Sequence, residues 1–213
     1  SIEPAIKDPP QPKSFAGSSR GLVEFRNVSF RYPNAEENVL CNISFTAHPG
    51  ETTAILGGTG SGKSTLVNLI PRFFDVTEGA VYVDGVDVRE VAQSALRERI
   101  GYIPQRGVLF TGTIASNLRY GNENATTEEL MQAAQTAQAA DFIAEMEGGM
   151  DAPISQGGTN VSGGQKQRLA IARALLKQPL IYIFDDALSA LDFKTDARLR
   201  RALSTGCGTG RRA

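Results

Sequence analysis

Residues 57–65 read Gly57-Gly58-Thr59-Gly60-Ser61-Gly62-Lys63-Ser64-Thr65. A glycine, four residues and then Gly-Lys-Ser is a spacing that can hold a phosphate. Consecutive backbone N–H groups converge on an anion only where no side chain blocks the approach, and glycine also permits the φ angles this needs. A helix beginning at the lysine adds unpaired N–H groups and a partial positive charge. In such a loop Lys63 reaches the β- and γ-phosphates of a nucleotide and the Ser64 hydroxyl binds Mg²⁺.

A second constellation is the apolar run 180–184, Leu-Ile-Tyr-Ile-Phe, which ends in Asp185-Asp186. A carboxylate at the end of a strand can hold the metal of a bound nucleotide, and Asp185 fits that role. A third is Val161-Ser162-Gly163-Gly164-Gln165. Ser162 with Gln165 three residues later is a capping box, which accounts for the serine and the glutamine. It does not account for two glycines in a first helical turn, where each weakens the helix. A ligand approaching the backbone there does account for them.

These residues need elements to position them. The run 52–56, Thr-Thr-Ala-Ile-Leu, predicts a buried strand into the glycine loop, and 66–70 continues as a helix. Residues 22–32 alternate loosely and predict strands, as does 39–45. Asp84-Gly85 between two valine-rich runs predicts a tight hairpin. A short helix is expected over 91–99, a short strand over 100–103, and a helix starting at Thr113. One Ala-rich helix is expected over 127–146, stopped by Gly148-Gly149, and another over 162–178, with Leu169, Ala172, Leu175 and Leu176 on one face. Flanked by Pro179 and Asp185, the run 180–184 predicts a parallel strand buried on both faces. A basic helix is expected over 194–203. Residues 1–20, with four prolines and Gly-Ser-Ser, read as a linker.

The chain has 213 residues, enough for one sizeable core. With 22 Lys plus Arg against 23 Asp plus Glu, there is no basic field to attract nucleic acid. The two cysteines, Cys41 and Cys207, suggest neither a disulfide framework nor a zinc site, which fits a reducing environment. No apolar run approaches the roughly 20 residues that cross a bilayer, and the N-terminus lacks the apolar stretch of a signal peptide. The domain is expected to be soluble in itself.

Glycine loop, Ser-Gly-Gly-Gln helix start, apolar strand with Asp-Asp, then Ser189-Ala190-Leu191-Asp192: taken together, this set resembles the ATPase domain of ABC transporters over about residues 22–203. The Ser-Gly-Gly-Gln segment separates that family from other P-loop proteins. The linker and the run 104–114 look most like exporters whose ATPase domain follows a membrane domain in one polypeptide. The resemblance implies an α/β fold: a P-loop NTPase core with an antiparallel β subdomain and a helical subdomain over about 104–178, within a domain spanning 21–213. It also implies ATP and Mg²⁺ as ligands, with Tyr32 stacking on adenine. Gln105 would contact Mg²⁺ or the attacking water and sense the membrane domain, and Asp192 would close a loop that crosses a dimer interface. Partners would be a second ATPase domain, paired head to tail, and a transmembrane domain, at the cytoplasmic face of the cell membrane. Ser162, Gly163, Gly164 and Gln165 would then act on the partner's nucleotide.

Two departures from the family stand out. Asp186 occupies the position where the family has glutamate to polarise the attacking water. With the Ser-Gly-Gly-Gln segment intact, this resembles the degenerate half of heterodimeric exporters. The family's γ-phosphate histidine follows the Asp192 loop and a further strand, whereas the single histidine here is His48. The chain is thus expected to be C-terminally truncated relative to the family and marginal as an isolated domain. Competing expectations are a dimerisation switch with little hydrolysis, and a non-transport ABC ATPase, which would usually carry large insertions.

Overall fold

The computed structural model describes residues 6–15, 20–187, 195, 197–199 and 201. The chain divides into two compact units, residues 1–100 and 101–213.

The first unit is built on a four-stranded antiparallel sheet of order β2-β1-β3-β4, from β1 (Val23–Phe30), β2 (Leu40–Ala47), β3 (Glu78–Val83) and β4 (Val86–Asp87). In β1, Val23 and Phe25 face the core, and so do Val28 and Phe30. Val28 comes three positions after Phe25, so strict alternation would expose the second pair. The register shift between them, with Asn27 at φ 51°, is the bulge that returns Val28 inward. The hairpin between β3 and β4 forms as expected, with Asp84 and Gly85 both at positive φ, as a type I′ turn requires. Among the described residues the unit also holds two α-helices, α1 (Lys63–Leu69) and α2 (Gln93–Glu98).

Residues 6–15 of the expected linker lie along this unit. Lys13 makes a parallel bridge with Val91, and its N–H donates to the Glu90 carbonyl at 2.7 Å. Ala92, at the N-cap of α2, has no side chain that can cap; the Asp8 carboxylate accepts from Gln93 N–H at 3.0 Å instead. Arg72, buried and at φ 55°, donates to the Lys7 carbonyl at 3.3 Å.

One expectation for this unit fails. Residues 52–56 form no strand, and Leu56 is 91% exposed. An apolar run becomes a strand only where a ladder partner takes up its N–H and C=O groups, and none pairs with it among the described residues.

The second unit comprises β5 (Ile100–Ile103), which starts at the boundary, then β6 (Gly112–Thr113), α3 (Ile114–Arg119), α4 (Thr127–Thr136), α5 (Ala140–Glu145), β7 (Pro153–Ile154), α6 (Gly163–Leu176) and β8 (Ile181–Phe184). Its core is set by Ile114, Leu118, Leu130, Leu169 and Ile171, on α3, α4 and α6. β5 pairs with β8, and β6 pairs antiparallel with β7. The single helix expected over 127–146 is two. Gln138 takes φ 57°, which lets Ala137 and Ala139 both bury, and its carbonyl accepts from Arg168 of α6 at 2.9 Å. β8 is also less enclosed than expected: only Ile183 is buried, and Ile181, Tyr182 and Phe184 are half-buried. The basic helix expected over 194–203 lies largely outside the described residues, and so does Asp192 with the rest of 188–194.

Candidate functional site

The predicted site residues fall in both units, and each part has its own geometry. In the first unit, Gly60 and Gly62 adopt φ 79° and 89°, left-handed values that turn the loop into α1. A Cβ on Gly58 would meet nothing within 4 Å, so the fold leaves that backbone open to an approaching group. Lys63 Nζ donates to the carbonyls of both Gly57 and Gly58, each at 2.7 Å, so the ammonium sits inside the loop. Ser61 N–H donates to Gly58 O at 3.3 Å and tightens the curve. Ser64 is exposed in the first turn of α1, a turn without acidic residues to repel an anion. Thr65 is buried, and its hydroxyl shares a 2.9 Å hydrogen bond with that of Tyr32. Tyr32 stands edge-on to both Phe30 and Phe74, which fixes its ring.

In the second unit, β8 delivers Asp185 and Asp186. Asp185 N–H donates to Ile103 O at 3.0 Å, continuing the pairing of β8 with β5. The Tyr102 hydroxyl donates to Asp185 Oδ2 at 3.0 Å. Burial, then the negative charge of Asp185 and the bond to it, raise the Tyr102 pKa well above its ordinary value. Gln105 Nε2 donates to Asp186 Oδ2 at 3.0 Å, so these two predicted residues meet.

Ser162 caps α6 through the expected box. Its hydroxyl accepts from Gln165 N–H at 3.2 Å, and Gln165 Oε1 accepts from Ser162 N–H at 2.8 Å. A Cβ on Gly163 would meet nothing within 4 Å, so packing within the chain does not demand a glycine there. Sequence reasoning missed Tyr102 and Gln167. Tyr102 is one more residue of a short strand, and Gln167 reads as an ordinary helix polar residue, yet it is 1% exposed.

Each part taken by itself has chemistry that suits a magnesium nucleotide. In the first unit the loop offers amides and an ammonium to phosphate, and Ser64 a hydroxyl oxygen. In the second, Asp185 offers a carboxylate; hydroxyl and carboxylate are both oxygen donors of the hard kind Mg²⁺ takes.

The sequence profile of the ABC transporter family matches residues 40–189. The chain belongs to this family. It is 50% identical over 185 residues to the ABC transporter ATP-binding protein YfiB of Bacillus subtilis, covering 87% of this chain and 32% of that protein. It is 43% identical over 202 residues to an ATP-dependent lipid A-core flippase of Desulfotalea psychrophila, covering 95% of this chain and 35% of that one. Among solved structures it is similar to a bacterial Atm1-family ABC exporter with ATP bound, with a TM-score of 0.88 and 39% identity over 95% of this chain and 35% of that one. This ABC domain thus spans about a third of the length of these relatives and has the ABC ATPase fold. Among its described residues no helix is long and apolar enough to cross a membrane.

Proposed function

We propose that this ABC domain binds Mg·ATP and powers an exporter at the cytoplasmic face of a membrane. It would act by ATP-driven, head-to-tail pairing with a second ATPase domain, beside a transmembrane partner. The observation that carries this reading is the glycine loop, with Gly60 and Gly62 left-handed and Lys63 Nζ already turned inward. The loop amides of residues 57–62 and Lys63 take the phosphates, with Thr59, Ser61 and Thr65 lining the turn, and Tyr32 takes the adenine. Ser64, Asp185 and Gln105 are the metal-side groups. Bound Mg²⁺ supplies charge neutralisation on the phosphate oxygens. Ser162, Gly163, Gly164 and Gln165 serve the nucleotide of the opposite domain, which accounts for a glycine at 163 where packing asks for none.

Asp186 orients the attacking water weakly. Its carboxylate is one methylene shorter than glutamate, and a shortfall of about 1 Å can cost on the order of 100-fold in rate. This favours the weaker half of an unequal pair. The same observation supports a second reading, an ATP-dependent dimerisation switch with little hydrolysis. Phosphate release by the chain alone against the chain mixed with a second ATPase domain separates the two.

Titration calorimetry with Mg·ATP tests the common part. The parent is expected to bind, and Lys63→Ala to show no heat at the same concentrations. Equal binding by both would end the lysine assignment.

A further inference from the structure

Gln167 lies on the second turn of α6, five residues after Ser162, and is 1% exposed. Its Nε2 donates to the Pro104 carbonyl at 2.9 Å. Its Oε1 is buried without a hydrogen-bond partner. An unpaired buried oxygen is a cost that an apolar side chain of equal reach would avoid. What the amide offers in return is the bond to Pro104, the residue immediately before Gln105. The neighbouring backbone supports the same attachment: a Cβ on Gly107 would lie 2.6 Å from the Lys166 carbonyl oxygen, so the loop reaches α6 only because residue 107 has no side chain. A continuous path therefore runs from Asp186 to Gln105, through Pro104 to Gln167, and along one turn of helix to the Ser162–Gln165 box.

We propose that Gln167 is a positioning residue that fastens the Gln105 loop to the start of α6. Gln105 at one nucleotide and Ser162 at the opposite one then move as a single body. This rests on the functional reading above, in which those two residues face different nucleotides. Arg173, which donates to Val108 O at 2.6 Å, holds the loop further along.

The test uses the full reading frame that carries this chain, assembled with its partner, with Gln167→Met to keep length and volume while removing the donor. The ATP KM is expected to stay within about twofold while kcat falls at least about tenfold, the pattern of a displaced group rather than a lost binding contact. Gln105→Ala should lower kcat comparably, and the double variant should fall no further, because the two act through one path. Hydrogen exchange without nucleotide should quicken about tenfold at residues 105–108 and stay unchanged in α4. Should Gln167→Met fail to fold, Gly107→Ala, which pushes the same loop away, replaces it with the same expectations. Unchanged exchange at 105–108, unchanged kcat, or additive losses in the double variant would each overturn the proposal. A parent that binds no ATP sinks the functional reading instead, and the exchange result still decides whether Gln167 holds the loop.

Discussion

Gln105 Nε2 lies 3.0 Å from Asp186 Oδ2, and Asp186 presents that oxygen from a left-handed backbone with φ 49°. The Gln105 side chain thereby fixes where the Asp186 carboxylate lies. Asp186→Glu lengthens the reach by one methylene without removing the acceptor for Gln105. In the assembled pair it is expected to raise hydrolysis at this site by up to about 100-fold, read as phosphate release at saturating Mg·ATP. An unchanged rate with normal binding would remove the degenerate-half reading.

Tyr102 provides a pH signature. Its hydroxyl pKa is raised above the ordinary 10.0 by burial first, then by the charge of Asp185 and the bond to it. The folded state therefore favours the neutral phenol, while the unfolded chain releases its proton at lower pH. The stability so contributed is intact below about pH 10 and is lost as pH climbs beyond it. Tyr102→Phe should flatten the decline of the melting midpoint above pH 10. At neutral pH it should cost about 1.5–3 kcal/mol for the lost hydrogen bond to a carboxylate. Parallel curves for parent and variant would refute the assignment.

Gly163 separates folding from function. Alanine there meets open space and suits the first turn of α6 better, so Gly163→Ala should stabilise the chain by up to about 1 kcal/mol in urea unfolding. The same methyl group would stand where the opposite nucleotide is proposed to approach, so turnover of the assembled pair should fall. A variant both more stable and fully active would argue against a nucleotide at that helix start.

Asn117 is 1% exposed and serves three backbone groups. It accepts from Phe110 N–H at 2.8 Å and donates to Phe110 O at 2.8 Å and Thr113 O at 2.9 Å. Asn117→Leu keeps the volume but strands those groups, for an expected loss of about 2–4 kcal/mol in denaturant unfolding. A loss below about 0.5 kcal/mol would mean that water replaces the amide.

Where short-range chemistry decides the structure, the sequence was readable. Asp84-Gly85 carries its turn type in two residues, and Ser162 with Gln165 carries a cap in four. The glycine loop is legible for the same reason, since its conformation is written in the residues that form it. The failures are tertiary. Residues 52–56 have the apolar run of a strand, but a strand depends on a neighbour, and periodicity does not report one. At Gln138 nothing local breaks the Ala-rich pattern; the break is held from outside, by Arg168 on its carbonyl. Tyr102 and Gln167 look ordinary because what distinguishes them is a contact with residues 83 and 63 positions away.

Asp8 has a practical consequence for anyone who excises this domain. Its carboxylate is the cap that α2 cannot supply from its own Ala92, reached across 85 positions of sequence. A recombinant boundary drawn at Leu22, where the first strand makes a tidy start, would discard that cap together with the Lys7 and Lys13 attachments. Poor yield or early melting of such a shortened protein would then reflect the cut rather than the domain.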